Sequence, residues 1–508
     1  MMDNTQMKYQ LVRCSVFSTL SVLYTTAGFA QIHSNPNVLV IHTDEHNFRT
    51  LGCYRECLAR EQAFPWGPEA KVETPNIDFL AKQGVLFTRC YATTPVSTPS
   101  RGSFLTGMYP QNANVLTNDM VLSDKTYTYA EVLRSQGYVT GYVGKLHLNG
   151  KGRPEWHPGR DFGFTDNRFM YNRGHWKKIE NTDSGPQFKM KDAVETSDSL
   201  TFTTDYLTNR TIDFIKEHKD SSFCFMLSLP DPHSANQVRS PYNEMYREMH
   251  FSRPASAAKN TTGLPAWAYG NSRMEDMSQY FGMVKCIDDN IGRILNTLRE
   301  SNLLDNTIIV FTSDHGDLCG EHGLINKSVP MDASARVPFI VYYPSKIKPG
   351  TRVDNVVSVA DFTPSLLSFC AIPTSKCYDG RDVSSLWKGE NLPAKYKDIV
   401  FMRGTSNVLK SDWEESESLP KSVWVAAVTP SYKIVYSENK SDKPCLFDLS
   451  KDPDELINCY FNPSYKAVVK ELSQALADYG KKYNDPRVTQ SKIAKEIEVI
   501  TENFKHKH

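Results

Sequence analysis

Four apolar runs in this chain each end on ionisable side chains, and that pattern restricts the fold more than any other feature. In "NPNVLVIHTDE" the run Val38–Ile41 is continuous and largely β-branched, the pattern of a strand buried on both faces, and it leads to Asp44 and Glu45. "YAEVLRSQGYVTGYVGKLHL" reads as a helix, a glycine stop and a strand, followed by Lys145 and His147. "SSFCFMLSLPDPHS" ends on Asp231 and His233, and "DNTIIVFTSDHGD" ends on Asp314 and His315. "PNIDFLAKQGVLF" adds a helix and a strand, and "ARVPFIVYYP" one more strand. Alternating strands and helices predict an α/β fold, a large, mostly parallel central sheet flanked by helices. In open sheets of this kind ligands bind beyond the carboxyl ends of the strands, where these polar residues fall.

A chain of 508 residues is long enough for a large domain with a smaller companion. We read residues 31–394 as the catalytic part and 395–508 as a C-terminal α+β subdomain with a small antiparallel sheet. There "VWVAAVTPSYKIVYS" reads as a hairpin, "PCLFDLSKDP" as a third strand and "YKAVVKELSQALADYGKKY" as an amphipathic helix. The charged ending "SKIAKEIEVITENFKHKH" is expected to be only partly ordered. Residues 1–30 read as a signal peptide: Lys8 and Arg13 precede the uncharged stretch 14–30, with small residues Gly28 and Ala30 before Gln31. This predicts export to the periplasm of a Gram-negative bacterium, or to its surface, without stable membrane insertion. A formal net charge of +0 gives no bulk attraction to nucleic acid. Export permits local disulfides between Cys370 and Cys377, Cys445 and Cys459, or Cys53 and Cys57; buried free thiols are the alternative.

The stretch "PVSTPSRGSFLTG", residues 95–107, has the chemistry of a turn. Pro99 suits a first helical position and Ser97 or Thr98 an N-cap. The alternative is a nucleophile at a helix N-terminus, where backbone N–H groups and Arg101 receive an anion. Asp44, Glu45, Asp314 and His315 could hold one hard divalent cation. Arg101, Lys145, His147, His233 and Lys327 in "GLINKS" would surround it, an arrangement suited to a multiply charged oxyanion.

With these residues together, the chain resembles the type I sulfatases of the alkaline phosphatase superfamily. Ser97-Thr98-Pro99-Ser100-Arg101 followed by Leu105-Thr106-Gly107 is similar to their signature, and "GYVGKLHL", "LPDPHS", "SDHGDLCGEHGLINK" and "LFDLSKDPDELIN" follow in the family's order. The resemblance implies that Ser97 is oxidised to formylglycine by a maturation enzyme before export, one that accepts serine. It implies one cation, Ca²⁺ in preference to Mg²⁺, held by Asp44, Glu45, residue 97, Asp314 and His315. It implies covalent catalysis: a hydroxyl of the hydrated aldehyde, deprotonated with help from Asp314, attacks sulfur, Arg101 holding residue 97. Lys145 and Lys327 bind the sulfate oxygens, His233 protonates the leaving alcohol, and His147 takes the proton that lets sulfate depart. Position 45 is Glu where many members carry Asp or Gln, and position 315 is His where many carry Asn. His175, with Trp176, is a candidate for sugar binding; His46, His157 and His322 are read as structural. The implied substrate is a sulfated carbohydrate, a glycosaminoglycan fragment (chondroitin, dermatan or heparan) by preference. The alternatives are a phosphomonoester or phosphonate hydrolase on the same scaffold and an inactive glycan-binding protein.

Overall fold

The structure, a computed structural model, describes residues 35–189, 194–257, 263–373, 376–405 and 423–502. The expected signal peptide and the last six residues lie outside the described residues. The strands, in chain order, are β1 (Asn37–Asp44), β2 (Val85–Tyr91), β3 (Val139–Lys145), β4 (Asp166–Tyr171), β5 (Lys178–Thr182), β6 (Gly185–Lys189), β7 (Phe223–Pro232), β8 (Thr307–Ser313), β9 (Arg336–Tyr342), β10 (Thr351–Ser358), β11 (Val400–Arg403), β12 (Trp424–Val428), β13 (Tyr432–Ser437) and β14 (Cys445–Asp448).

Eight strands form the main sheet in the order β10-β2-β9-β8-β1-β7-β3-β4. β1 lies in its interior, parallel to both neighbours β7 and β8, and every one of its residues is buried. Its alternation feeds both faces: Leu39 and Ile41 enter one apolar cluster, Val38 and Val40 the other. The helix Met277–Glu300 covers the first face, and Asp276 caps it by accepting the N–H groups of Ser278 and Gln279. The helix Tyr129–Ser135 begins in a capping box made by Thr128 and Glu131, and its Leu133 enters the second cluster. Because β1, β3, β7 and β8 run the same way, their carboxyl ends share one rim.

"ARVPFIVYYP" is a strand, but β9 runs antiparallel to both β2 and β8. A parallel return needs a crossover, usually a helix packed on the sheet. The segment 314–335 instead holds only single-turn helices, Glu321–Gly323 and Asp332–Ala335, so the chain doubles back.

The second sheet is antiparallel throughout, in the order β11-β12-β13-β14. Val425, Ala427, Ile434 and Tyr436 on one face pack against the helix Lys466–Lys482 and against Ile493 and Ile497. The charged ending is therefore more ordered than its composition suggests: Lys492–Glu502 is a helix in which Ile493 and Ile497 are buried. The other face places Trp424, Ala426 and Val435 against Met331, Ala333 and Ala335. Across that contact the buried Lys433 Nζ donates to the Pro330 carbonyl (2.8 Å), Asp332 Oδ1 (2.7 Å) and Glu455 Oε1 (2.6 Å), and Trp424 Nε1 donates to the Ser328 carbonyl (3.1 Å). The pairings 53–57, 370–377 and 445–459 do not form, and these cysteines are free thiols; Cys57 Sγ donates to the Cys53 carbonyl instead. Among the described residues no helix is long and apolar enough to cross a membrane.

Candidate active site

Ser97 is the first residue of the helix Ser97–Thr106, and Val96 occupies the N-cap without a side-chain hydrogen bond. Neither Ser97 nor Thr98 caps the helix, and Pro99 is its third residue. The capping expectation fails because the hydroxyls are used elsewhere. Thr98 Oγ1 donates to the His147 carbonyl (2.8 Å) and Ser100 Oγ to the Asp314 carbonyl (2.5 Å). The small side chains thus tie a fully buried helix to the ends of two strands. The Ser97 hydroxyl is left for the site, with Oγ 3.2 Å from His315 Nε2.

Arg101 organises the carboxylates. Its Nε donates to Asp314 Oδ2 (2.9 Å), one terminal nitrogen to Asp44 Oδ2 (3.2 Å), and the other to the Lys145 carbonyl and Ser228 Oγ (2.8 Å each). These bonds clamp the groups expected to hold a cation; none of them reaches Ser97. Asp44 Oδ2 also receives Lys145 Nζ. Burial would raise the Asp44 pKa, yet Lys145 and Arg101 together hold it well below the usual carboxylate range.

Asp44, Asp314 and His315 offer ligand atoms that all lie within 4.8 Å of one another. Buried Asp44 Oδ1 and Glu45 Oε1 have no hydrogen-bond partner, which is what a cation would remedy. Glu45 sits at φ 60°, an unfavourable left-handed conformation, and this turns its carboxylate into the site. Its Oε2 meets His233 Nε2 (2.8 Å) and Lys327 Nζ (2.9 Å). Burial opposes ionisation of Glu45, but His233 and Lys327 keep its pKa low. The donor set of carboxylate oxygens with one imidazole fits a divalent cation. A second triple, Asp44, His175 and His233, is already served by an ammonium: Lys145 Nζ bonds Asp44 and lies 2.8 Å from His175 Nε2.

His233 Nδ1 lies 2.8 Å from the Ser234 carbonyl, so Nδ1 carries a proton and Nε2 faces Lys327 at 2.6 Å. His147 is also at positive φ, 60°, and neither of its ring nitrogens has a hydrogen-bond partner. Asp119 Oδ1 is 3.5 Å from His147 Nε2 and is bound by Arg173. Burial, then Lys145 and Arg101, push the His147 pKa well below its usual value. His175 lines the cavity, where it meets Lys145 and stacks on His233, with centroids 3.4 Å apart. Trp176 lines the cavity outside it. His46 is a buried structural residue between Thr43 and Thr50. Sequence reasoning missed Asp119 and Arg173; Arg173 stands two residues before His175 in a stretch already singled out, whereas nothing around Asp119 marks it.

Residues 36–371 match the family described as Sulfatase, and residues 320–482 match the C-terminal region of N-sulphoglucosamine sulphohydrolase. The chain is 24% identical to an N-acetylglucosamine-6-O-sulfatase of Bacteroides thetaiotaomicron, over 92% of this chain and 90% of that one. It is 25% identical to an endo-4-O-sulfatase of the same bacterium, over 92% and 96%. A solved structure of a protein in complex with its substrate D-glucosamine-2-N,6-O-disulfate superposes with a TM-score of 0.71 at 23% identity, covering 89% of this chain and 99% of that one.

Proposed function

The chain belongs to the sulfatase family, hydrolases of sulfuric esters, and from that premise we propose that it is an exported enzyme that removes sulfate from saccharides after Ser97 is converted to formylglycine. The observation that carries the reading is the surroundings of Ser97: a hydroxyl at a buried helix N-terminus, 3.2 Å from His315, in a cavity also lined by Lys145, His147, His233 and Lys327. The carbohydrate preference rests on the relatives' substrates; glycosaminoglycan fragments are the finer reading. Export rests on the composition of residues 1–30.

Each side chain then has a task. The ammonium groups of Lys145 and Lys327 bind the sulfate oxygens and offset charge gathering on them. His233, its Nδ1 fixed by the Ser234 carbonyl, directs Nε2 into the cavity as the group that protonates the leaving oxygen. His147, with two unpartnered nitrogens, accepts a proton on the side of residue 97. Arg101 keeps Asp44 and Asp314 oriented, and these with His315, Ser97 and Glu45 Oε1 would hold a divalent cation, Ca²⁺ before Mg²⁺. A bound cation supplies positive charge that polarises the sulfate, and formylglycine supplies paired hydroxyls that serine lacks.

Mass spectrometry of the peptide containing residue 97 tests the modification, with a loss of two hydrogens expected. Desulfation of a panel of sulfated mono- and disaccharides tests the activity. An unmodified Ser97 together with hydrolysis of phosphate or phosphonate esters alone would overturn the reading. An N-terminus at Gln31 in the periplasmic fraction tests export.

A further inference from the structure

The cavity before Ser97 has a volume of about 540 Å³, far more than a sulfate group needs and typical of sites that enclose a larger organic ligand. Its outer wall comes from Arg153 and from residues between Arg173 and Glu195. The cations on this cavity are nearly all committed. Lys145 pairs with Asp44, Lys327 with Glu45, Arg173 with Asp119, Lys177 with Asp231 (2.6 Å) and Lys189 with Glu180 (3.6 Å). Arg153 is the exception: it lines the cavity, is exposed, and has no hydrogen bond or ion pair among the described residues. A guanidinium is a planar fork suited to a carboxylate or sulfate.

The same wall carries an aromatic face held in a fixed plane. Trp176 stacks on Phe188 (4.9 Å, 24°), and Phe188 stacks on Trp156 (4.7 Å, 8°). Trp176 Nε1 donates to the Arg173 carbonyl (3.3 Å). Gly174 makes room for the ring, since a Cβ there would lie 2.1 Å from Trp176 Nε1. The β5–β6 ribbon supplies Phe188 and Lys189. A rigid aromatic ring next to an uncommitted guanidinium suits a sugar ring that bears an anion: the apolar ring face packs on the indole and the anion meets the fork.

We propose that this wall is a subsite for a second anionic group, so that the substrate carries a further carboxylate or sulfate, read by Arg153 while its sugar ring rests on Trp176. The exposed Glu195 on the same wall accepts hydrogen bonds from sugar hydroxyls. The inference rests on the sulfatase reading of the Ser97 site.

The test compares kcat/KM of the full-length matured enzyme with that of Arg153→Ala, Arg153→Lys, Trp176→Ala and Trp176→Phe. The substrates are 4-nitrophenyl sulfate, a neutral monosulfated N-acetylhexosamine, a disulfated glucosamine and a sulfated disaccharide containing a uronate. Arg153→Ala should lose about tenfold more on a substrate with a second anion than on the neutral sugar, mainly through KM. Raising the ionic strength should narrow that gap, and Arg153→Lys should recover part of it. Whether the disulfated sugar or the uronate suffers more identifies which anion is read. Trp176→Ala should impair all sugars more than the aryl ester, and Trp176→Phe, which keeps the stack, should impair them less. Equal losses on all four substrates, or none, would overturn the proposal. If the wild type hydrolyses none of them, the catalytic reading fails instead, and calorimetric binding of the disulfated sugar and the uronate disaccharide to wild type and Arg153→Ala still decides this one: equal affinities refute it.

Discussion

His233 and His147 are both imidazoles beside Ser97, yet their surroundings assign them opposite proton tasks. The Nε2 of His233 lies between the Glu45 carboxylate at 2.8 Å and Lys327 Nζ at 2.6 Å, facing the cavity. If it protonates the leaving oxygen, His233→Ala should cost about 10²–10⁴ in kcat on a sugar sulfate. The loss should be far smaller on 4-nitrophenyl sulfate, whose leaving group needs no acid. Equal losses on both esters would remove that role. His147 is buried and pushed well below its usual pKa by burial, Lys145 and Arg101. A depressed pKa keeps a base deprotonated further into acid, so the acid limb of kcat that His147 controls should lie below pH 6.5. A limb at or above 6.5 that vanishes in His147→Asn would contradict this. The strand-end residues Asp44, Lys145, His233 and Asp314 were legible in the sequence because a parallel sheet gathers such ends on one rim. Arg101's partners were not legible, because a guanidinium near several acceptors satisfies whichever the tertiary packing brings closest. The contact of His175 with Lys145 was not legible for a related reason: it is set by how the loop after β4 folds back, which local sequence does not encode.

At the level of elements, apolar runs and β-branching identified β1, β2, β3, β7, β8 and β9 of the main sheet but not β4 or β10, and the direction of β9 escaped because apolar runs carry no sign of direction. The β5–β6 ribbon was missed as well; "KIENT" and "GPQFK" lack the apolar alternation that marks a strand. β3 shows how one residue can fix an element. Gly144 lies at φ +100°, and a Cβ there would sit 1.9 Å from the Ser228 carbonyl oxygen, on the neighbouring strand β7. That close approach sets Lys145 at the rim. Gly144→Ala combines an unfavourable backbone with a clash against a sheet neighbour and should cost roughly 3 kcal/mol or more. Thermal denaturation should show a clear fall in Tm; an unchanged Tm would mean that β3 and β7 have room to separate.

For the whole molecule, two apolar clusters sandwich the main sheet and two more flank the small one, so stability does not require cross-links. Cys53, Cys90, Cys224, Cys286, Cys319 and Cys445 are buried free thiols, while Cys377 is exposed. A thiol reagent should therefore label Cys377 rapidly in the folded protein and the buried thiols only after denaturation, and reductant should leave Tm unchanged. A loss on reduction of about 2 kcal/mol or more, as for a typical disulfide, would show that a pair had formed. Short cysteine spacings suggested pairing because sequence records proximity along the chain but not the direction of each sulfur. The bonds from Trp424 and Lys433 to positions 328, 330 and 332 have a consequence for heredity. They grip the segment that follows Lys327 from a sheet encoded far downstream, so the two stretches of gene have to be inherited together. A crossover that joins the first 400 codons of one such gene to the remainder of another sets a foreign clamp against a native lysine loop, and the offspring should keep its fold while losing turnover.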